Sequence, residues 1–157
     1  MSTRGIQYLK QKKIEHQVVL YEHEEKGARF AARAVGFALQ QTIKTLVVVL
    51  DDNRHVLVLM PGDRQLSLKK LAAACKAKRA AMADAASAER LTGYLVGGIS
   101  PFGTKKNLPA VMDASLQAHE HVMINAGRRG VMVLMTPADI VRALKAGVAD
   151  LTAYEAV

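Results

Sequence analysis

The chain has 157 residues, half of them hydrophobic, with one cysteine, no tryptophan and a formal net charge of +8. A length near 150 fits one domain over residues 1–157, able to bury a core without staples. The lone cysteine excludes an internal disulfide framework and points to a reducing, cytoplasmic setting.

The N-terminal run MSTRGIQYLKQKK lacks the apolar core of a signal peptide. No apolar run approaches the ~20 residues that cross a bilayer, so no membrane partner is expected. Aromatic residues make up only 4% of the chain, which disfavours a stacking platform for single-stranded nucleic acid. The positive charge points instead to an anionic partner, nucleic acid first.

In chain order, the segment to Lys13 predicts a short helix with Ile6 and Leu9 inward and Lys10, Lys12 and Lys13 outward. His16–Tyr21 is β-branched and predicts a strand. A charged loop over Glu22–Gly27 and a helix over Ala28–Val35, stopped by Gly36, follow. Ile43–Leu50 and His55–Met60 are the strongest strand signals, joined by a four-residue hairpin loop, Asp51–Arg54. Both are nearly continuously apolar, which implies burial on both faces.

Ser67 predicts the N-cap of a helix running to about Arg79, with Leu68, Leu71, Ala72 and Cys75 on its apolar stripe. A second helix is expected over Asp84–Leu91. Strands are then expected at Ala110–Asp113, His121–Asn125 and Val131–Met135, with Ala126–Gly130 as a turn. Thr136, Pro137 and Asp139 form a helix start, and that helix should end near Gly147. The order predicts an α+β fold: a curved mixed, largely antiparallel sheet with a barrel-like core, flanked by helices.

Between the expected helix Asp84–Leu91 and the expected strand Ala110–Asp113 lies TGYLVGGISPFGTKKNLP, Thr92–Pro109, with four glycines. Each glycine costs conformational entropy on folding. Four together imply a backbone that turns sharply or approaches something closely, and the exposed N–H groups of such a loop can hold a carbonyl oxygen or an anion. The stretch is a candidate binding-site wall; a plain connecting loop is the alternative.

Most catalytic signatures are missing. Among His16, His23, His55, His119 and His121 only the last two are close in sequence, and nothing completes a tetrahedral set, so no metal is expected. Cys75 sits on an apolar stripe, G-x-S-x-G is absent, and GYLVGGISPFG matches neither a Walker loop nor G-x-G-x-x-G. Lys44 opens the most apolar strand on the face of Leu46, Val48 and Leu50. It either snorkels out at the strand end or is held at a site where an ammonium polarises a carbonyl or binds phosphate. Lys69, Lys70 and Lys76, with Lys105, Lys106, Arg128 and Arg129, are either solvated charge or a track for a phosphate backbone.

Three blocks resemble the YbaK/ProX aminoacyl-tRNA deacylase family, related to the editing domain of bacterial prolyl-tRNA synthetases: Lys44–Val48, TGYLVGGISPFGTKKNLP and AGRRG before a strand. The chain is most similar to the YbaK branch. That resemblance implies trans-editing, hydrolysis of the ester joining a wrong amino acid to a tRNA 3′ end, with cysteine on tRNA(Pro) as substrate and no cofactor. It implies that Lys44 is the key functional group, that Gly97, Gly98, Ile99, Ser100 and Pro101 line the pocket, and that Tyr21 and Phe30 are aromatic pocket positions. Mischarged tRNA is the implied partner, with prolyl-tRNA synthetase as a further one. In the YbaK branch the substrate thiol attacks its own carbonyl, which suits a chain without a protein nucleophile. One departure is Met132, where some members of the branch carry a polar residue; alanine or another small amino acid therefore stays open as substrate. A non-catalytic tRNA- or synthetase-binding module is the other alternative.

Overall fold

The computed structural model describes residues 2–22, 36–51 and 53–153. The elements in order are α1 (Arg4–Gln11), β1 (Gln17–Leu20), a 3-10 turn (Leu39–Gln41), β2 (Thr42–Leu50), β3 (Arg54–Pro61), α2 (Leu68–Ala74) and β4 (Ala80–Met82). They continue with α3 (Ala85–Thr92), β5 (Ala110–Asp113), a 3-10 turn (Ala114–Ala118), β6 (Val122–Arg128), β7 (Val131–Met135), α4 (Pro137–Leu144) and β8 (Gly147–Ala149). The expected helix Ala28–Val35, together with His23 and Phe30, lies outside the described residues.

The strands form one mixed sheet in the order β1-β7-β6-β2-β3-β5-β8, with β4 also on β2. β1–β7, β6–β7, β2–β3 and β2–β4 pair antiparallel, while β2–β6, β3–β5 and β5–β8 pair parallel. This is the expected α+β architecture.

The apolar hairpin β2–β3 is buried on both faces, as its composition requires. On one face Val48, Leu50, Val56, Val58 and Met60 pack with Leu71 of α2. On the other, Val47 and Leu57 pack with Ala88 and Leu91 of α3, and Ile43 and Leu59 join Ile6 and Leu9 of α1. Successive strand residues point to opposite faces, so a continuous apolar run feeds all three clusters.

Four boundaries differ from the sequence expectation. α2 stops at Ala74, and Lys76 adopts a left-handed φ of 55°. Ala80–Met82 then leaves to pair with Val48–Leu50, a sheet contact that overrides the helix propensity of an Ala/Lys-rich run. Arg54 is already paired with Leu50, so the hairpin loop is shorter than Asp51–Arg54. β6 runs on to Arg128 by absorbing Ala126 and Gly127 in a bulge between Asn125 and Arg128. α4 ends at Leu144, with Lys145 left-handed at φ 52°, and Gly147 opens β8 instead of ending the helix. No helix among the described residues is long and apolar enough to cross a membrane.

Candidate active site

The site is built by a break in the pairing of β2. One edge of β2 is paired along its length with β3. The other edge is shared: β6 takes Thr42 and Ile43, and β4 takes Val48–Leu50. The Val47 carbonyl accepts from Ala83 N–H at 3.0 Å, which closes the far side of the break. Strand residues two apart direct their backbone groups to the same edge. The N–H and C=O of Thr45 therefore face the gap, with no ladder partner from either strand.

A cavity of about 360 Å³ occupies this gap. Its walls include Lys44, Thr45, Leu46 and Val47 of β2, Met82 and Ala83 at the end of β4, and Ala85 and Ala88 of α3. Val96, Gly97 and Ile99 of the glycine loop, Asn125 and Met132 of the β6–β7 hairpin, and Tyr21 complete it. The lining is largely apolar with a few polar groups, the pattern of a small-molecule site.

Lys44 is half-buried, and its ammonium makes no hydrogen bond or salt bridge among the described residues. Burial pulls its pKa below the ordinary lysine value, and the nearby Asp63 carboxylate works the other way. A cation without a fixed partner in a partly desolvated cavity is set up to meet an electron-rich atom of a ligand. Beside it, Thr45 Oγ1 is buried without a hydrogen-bond partner. Asn125 spends its side-chain carbonyl on the bulge, accepting from the N–H groups of Gly127 (2.7 Å) and Arg128 (3.1 Å).

The glycine loop divides its work. Gly97, at φ 98°, and Ile99 face the cavity. Gly98 is buried against the hairpin: a Cβ there would lie 2.9 Å from Arg129 N. Ser100 and Pro101 are fully turned into the protein; Ser100 Oγ accepts from Phe102 N–H at 3.2 Å. Gly98, Ser100 and Pro101 are thus packed behind the wall and are absent from the cavity lining. Tyr21 is in the lining, and its N–H donates to Gly130 O at 3.0 Å. Met132 is 2% exposed and stacks with Met123 under the same wall.

The basic residues named from the sequence sit on three separate elements. Lys69, Lys70 and Lys76 belong to α2 and its end, and Lys70 is engaged with Asp150 (3.0 Å) and the Thr152 carbonyl (2.7 Å). Lys105 and Lys106 are exposed beside the end of α3, and Arg128 and Arg129 flank the hairpin behind Gly98. Cys75 is half-buried, and burial pushes its thiol pKa up, against a nucleophilic role. Among the described residues no group of three or more His, Cys, Asp or Glu is placed to hold a metal.

Sequence reasoning named Lys44, Tyr21, Gly97 and Ile99 but passed over Thr45, Asn125, Met82 and Val96. Alternation assigns Thr45 to the opposite face of β2 from Lys44; only a split edge brings both to one cavity. The signal for Asn125 was its place just before Ala-Gly, where an Asx side chain can hold a bulge.

The family model described as the aminoacyl-tRNA editing domain matches residues 23–143. A protein of Enterococcus faecalis, named as a proposed Cys-tRNA(Pro)/Cys-tRNA(Cys) deacylase, EbsC, is 30% identical over 155 residues, covering 98% of this chain and 94% of that protein. The multifunctional Ser/Thr-tRNA deacylase ProXp-y of Escherichia coli is 33% identical over 144 residues, 88% of this chain and 85% of that protein. A crystal structure described as a candidate trans-editing enzyme for prolyl-tRNA synthetase superimposes with a TM-score of 0.89 at 27% identity, covering 98% of this chain and 99% of the other. The chain belongs to the aminoacyl-tRNA editing domain family and is an aminoacyl-tRNA deacylase.

Proposed function

We propose that the cavity on the open edge of β2 receives the 3′ aminoacyl ester of a mischarged tRNA, cysteinyl-tRNA(Pro) foremost, and that Lys44 stabilises the developing charge on the ester carbonyl. The observation that carries this reading is a half-buried ammonium, without a hydrogen bond or salt bridge among the described residues, on a largely apolar cavity of about 360 Å³. The Thr45 backbone and Oγ1 add polar groups with free capacity beside it.

No Ser, Cys, His, Asp or Glu stands among the described lining residues. In this reading the attacking group comes from the substrate or from water, as the resemblance to the YbaK branch implies. With cysteine, the substrate thiolate attacks its own carbonyl carbon. The new carbon–sulfur bond replaces the carbon–oxygen bond to the ribose; the tRNA 3′ oxygen leaves with the proton the thiol gave up, and the cysteine departs as a four-membered thiolactone that water then opens.

Where the amino-acid side chain meets the apolar lining at Met132, a thiol or methyl is favoured over a hydroxyl, which would need one of the few polar groups near Lys44 as its partner. Such a pocket rejects a hydroxyl isostere by only about 10², so serine and threonine are slower substrates rather than excluded ones. The name of the Escherichia coli relative favours testing them directly.

The decisive experiment is a panel of tRNAs charged with cysteine, alanine, serine and threonine, with and without prolyl-tRNA synthetase. Cysteine should be released fastest at substoichiometric protein. A faster release of alanine or serine would move the assignment; stoichiometric protection without release would replace catalysis by binding.

A further inference from the structure

A second cavity, of about 610 Å³, adjoins the first. Met82 and Ala83 line both and form the ridge between them. The two sides of that ridge differ in chemistry. The first cavity is mostly apolar; the second presents His55, Ser87, Arg90 and Lys106. His55 lies on β3, Arg90 in the last turn of α3, and Lys106 just past the glycine loop. Lys106 N–H donates to Leu91 O at 2.9 Å, which fixes that lysine beside the end of α3.

The side chains of Arg90 and Lys106 are exposed and make no hydrogen bond or salt bridge among the described residues. Asp84 is the one carboxylate among the described residues of this wall. It is turned to the backbone, accepting from Ser87 N–H at 2.7 Å as the cap of α3. That bond, before the charges of Arg90 and His55, holds its pKa below the usual carboxylate value. The described residues of the wall thus carry two cations without a hydrogen bond or salt bridge against one carboxylate that caps a helix.

We propose that this groove holds the sugar–phosphate strand immediately upstream of the terminal nucleoside, with Arg90 and Lys106 on its phosphates. The strand crosses the Met82–Ala83 ridge, and only the ester and its nucleoside enter the first cavity. The proposal rests on the deacylase reading. Phosphates cannot follow the ester into an apolar cavity without losing solvation, so the chain needs a polar path at the mouth. Apolar groups cover another part of the rim, where Leu95 is 75% exposed and Val96 37%. Lys70, an alternative cation on the other helix, is taken by Asp150.

The test compares two esters, a cysteinyl minihelix ending in CCA and cysteinyl-adenosine, which has no phosphate. Arg90→Glu and Lys106→Glu should each lower the ratio of kcat/KM for minihelix over adenosine ester about tenfold, through KM, and flatten the salt slope by about one. Fluorescence anisotropy of the uncharged minihelix should report the same loss in Kd. An unchanged ratio and Kd in both variants, or an equal loss on both esters, overturns the proposal. If the wild-type protein hydrolyses neither ester, the deacylase reading fails separately. The anisotropy arm then decides the groove alone: a tenfold loss of minihelix affinity sustains it and an unchanged Kd overturns it.

Discussion

Two half-buried lysines of this protein sit in opposite kinds of surroundings. Lys70 is clamped by Asp150 and the Thr152 carbonyl, at 3.0 and 2.7 Å, beside a C-terminal segment that Asp113 also holds. Asp113, 1% exposed, accepts from Leu151 N–H at 2.7 Å, Thr152 Oγ1 at 3.3 Å and Ser115 N–H at 3.2 Å. The lysine and the buried carboxylate there both have partners. Around Lys44 the ammonium, Thr45 Oγ1 and the Thr45 backbone have none among the described residues. A satisfied cluster holds the fold together; an unsatisfied one in a cavity costs stability and is kept for a ligand.

The largest break in this comparison comes from Lys44→Met. Loss of one charge-stabilising donor should cut kcat for cysteinyl-tRNA(Pro) by about 10² to 10³. Folding lowers the pKa of Lys44, so the charged form is penalised in the native state at every pH below that lowered pKa. The penalty fades as pH rises towards the ordinary lysine value. The urea midpoint of the variant at neutral pH should therefore equal or exceed that of the wild type; a lower midpoint would show that Lys44 is structural.

Asp113→Ala should do the reverse. It leaves the buried Leu151 N–H unpaired and should cost about 2–3 kcal/mol in urea denaturation, while turnover per folded molecule is kept. Lys70→Ala removes a partly exposed pair and should cost less than about 1 kcal/mol; a loss of kcat there would erase the contrast between the two lysines. The smallest effect is expected of Asp63→Asn. Without that carboxylate the Lys44 pKa falls further, so the alkaline limb of the kcat/KM profile should move to lower pH. A shift to higher pH would contradict a charged Lys44 in the reaction.

Local signals were legible where local physics decides. Ser67, Asp84 and Thr136 cap their helices as their side chains suggest, each accepting from the third residue on. The β2–β3 hairpin followed from composition alone. β4 did not: Ala80–Met82 has helix-forming residues and becomes a strand only because the edge of β2 is open beside it. Lys44 was visible as a charge on an apolar strand, and the resemblance gave it a role. Thr45 was invisible, because its importance lies in what β6 and β4 fail to cover, and non-local pairing leaves no mark on a single strand. Gly98 and Gly97 look alike in sequence, yet one gives room to the hairpin and the other to the cavity.

The break in β2 also bears on solubility. An unpaired strand edge invites other strands, and proteins generally shield theirs. Here the uncovered stretch, Lys44 to Leu46, is about 10 Å long at ~3.3 Å per residue. It is stoppered at both ends by β6 and β4. One extended unit of a guest can dock on it, but a second strand cannot zip along it. The same short opening that we propose admits an aminoacyl ester denies a foothold to intermolecular sheet growth.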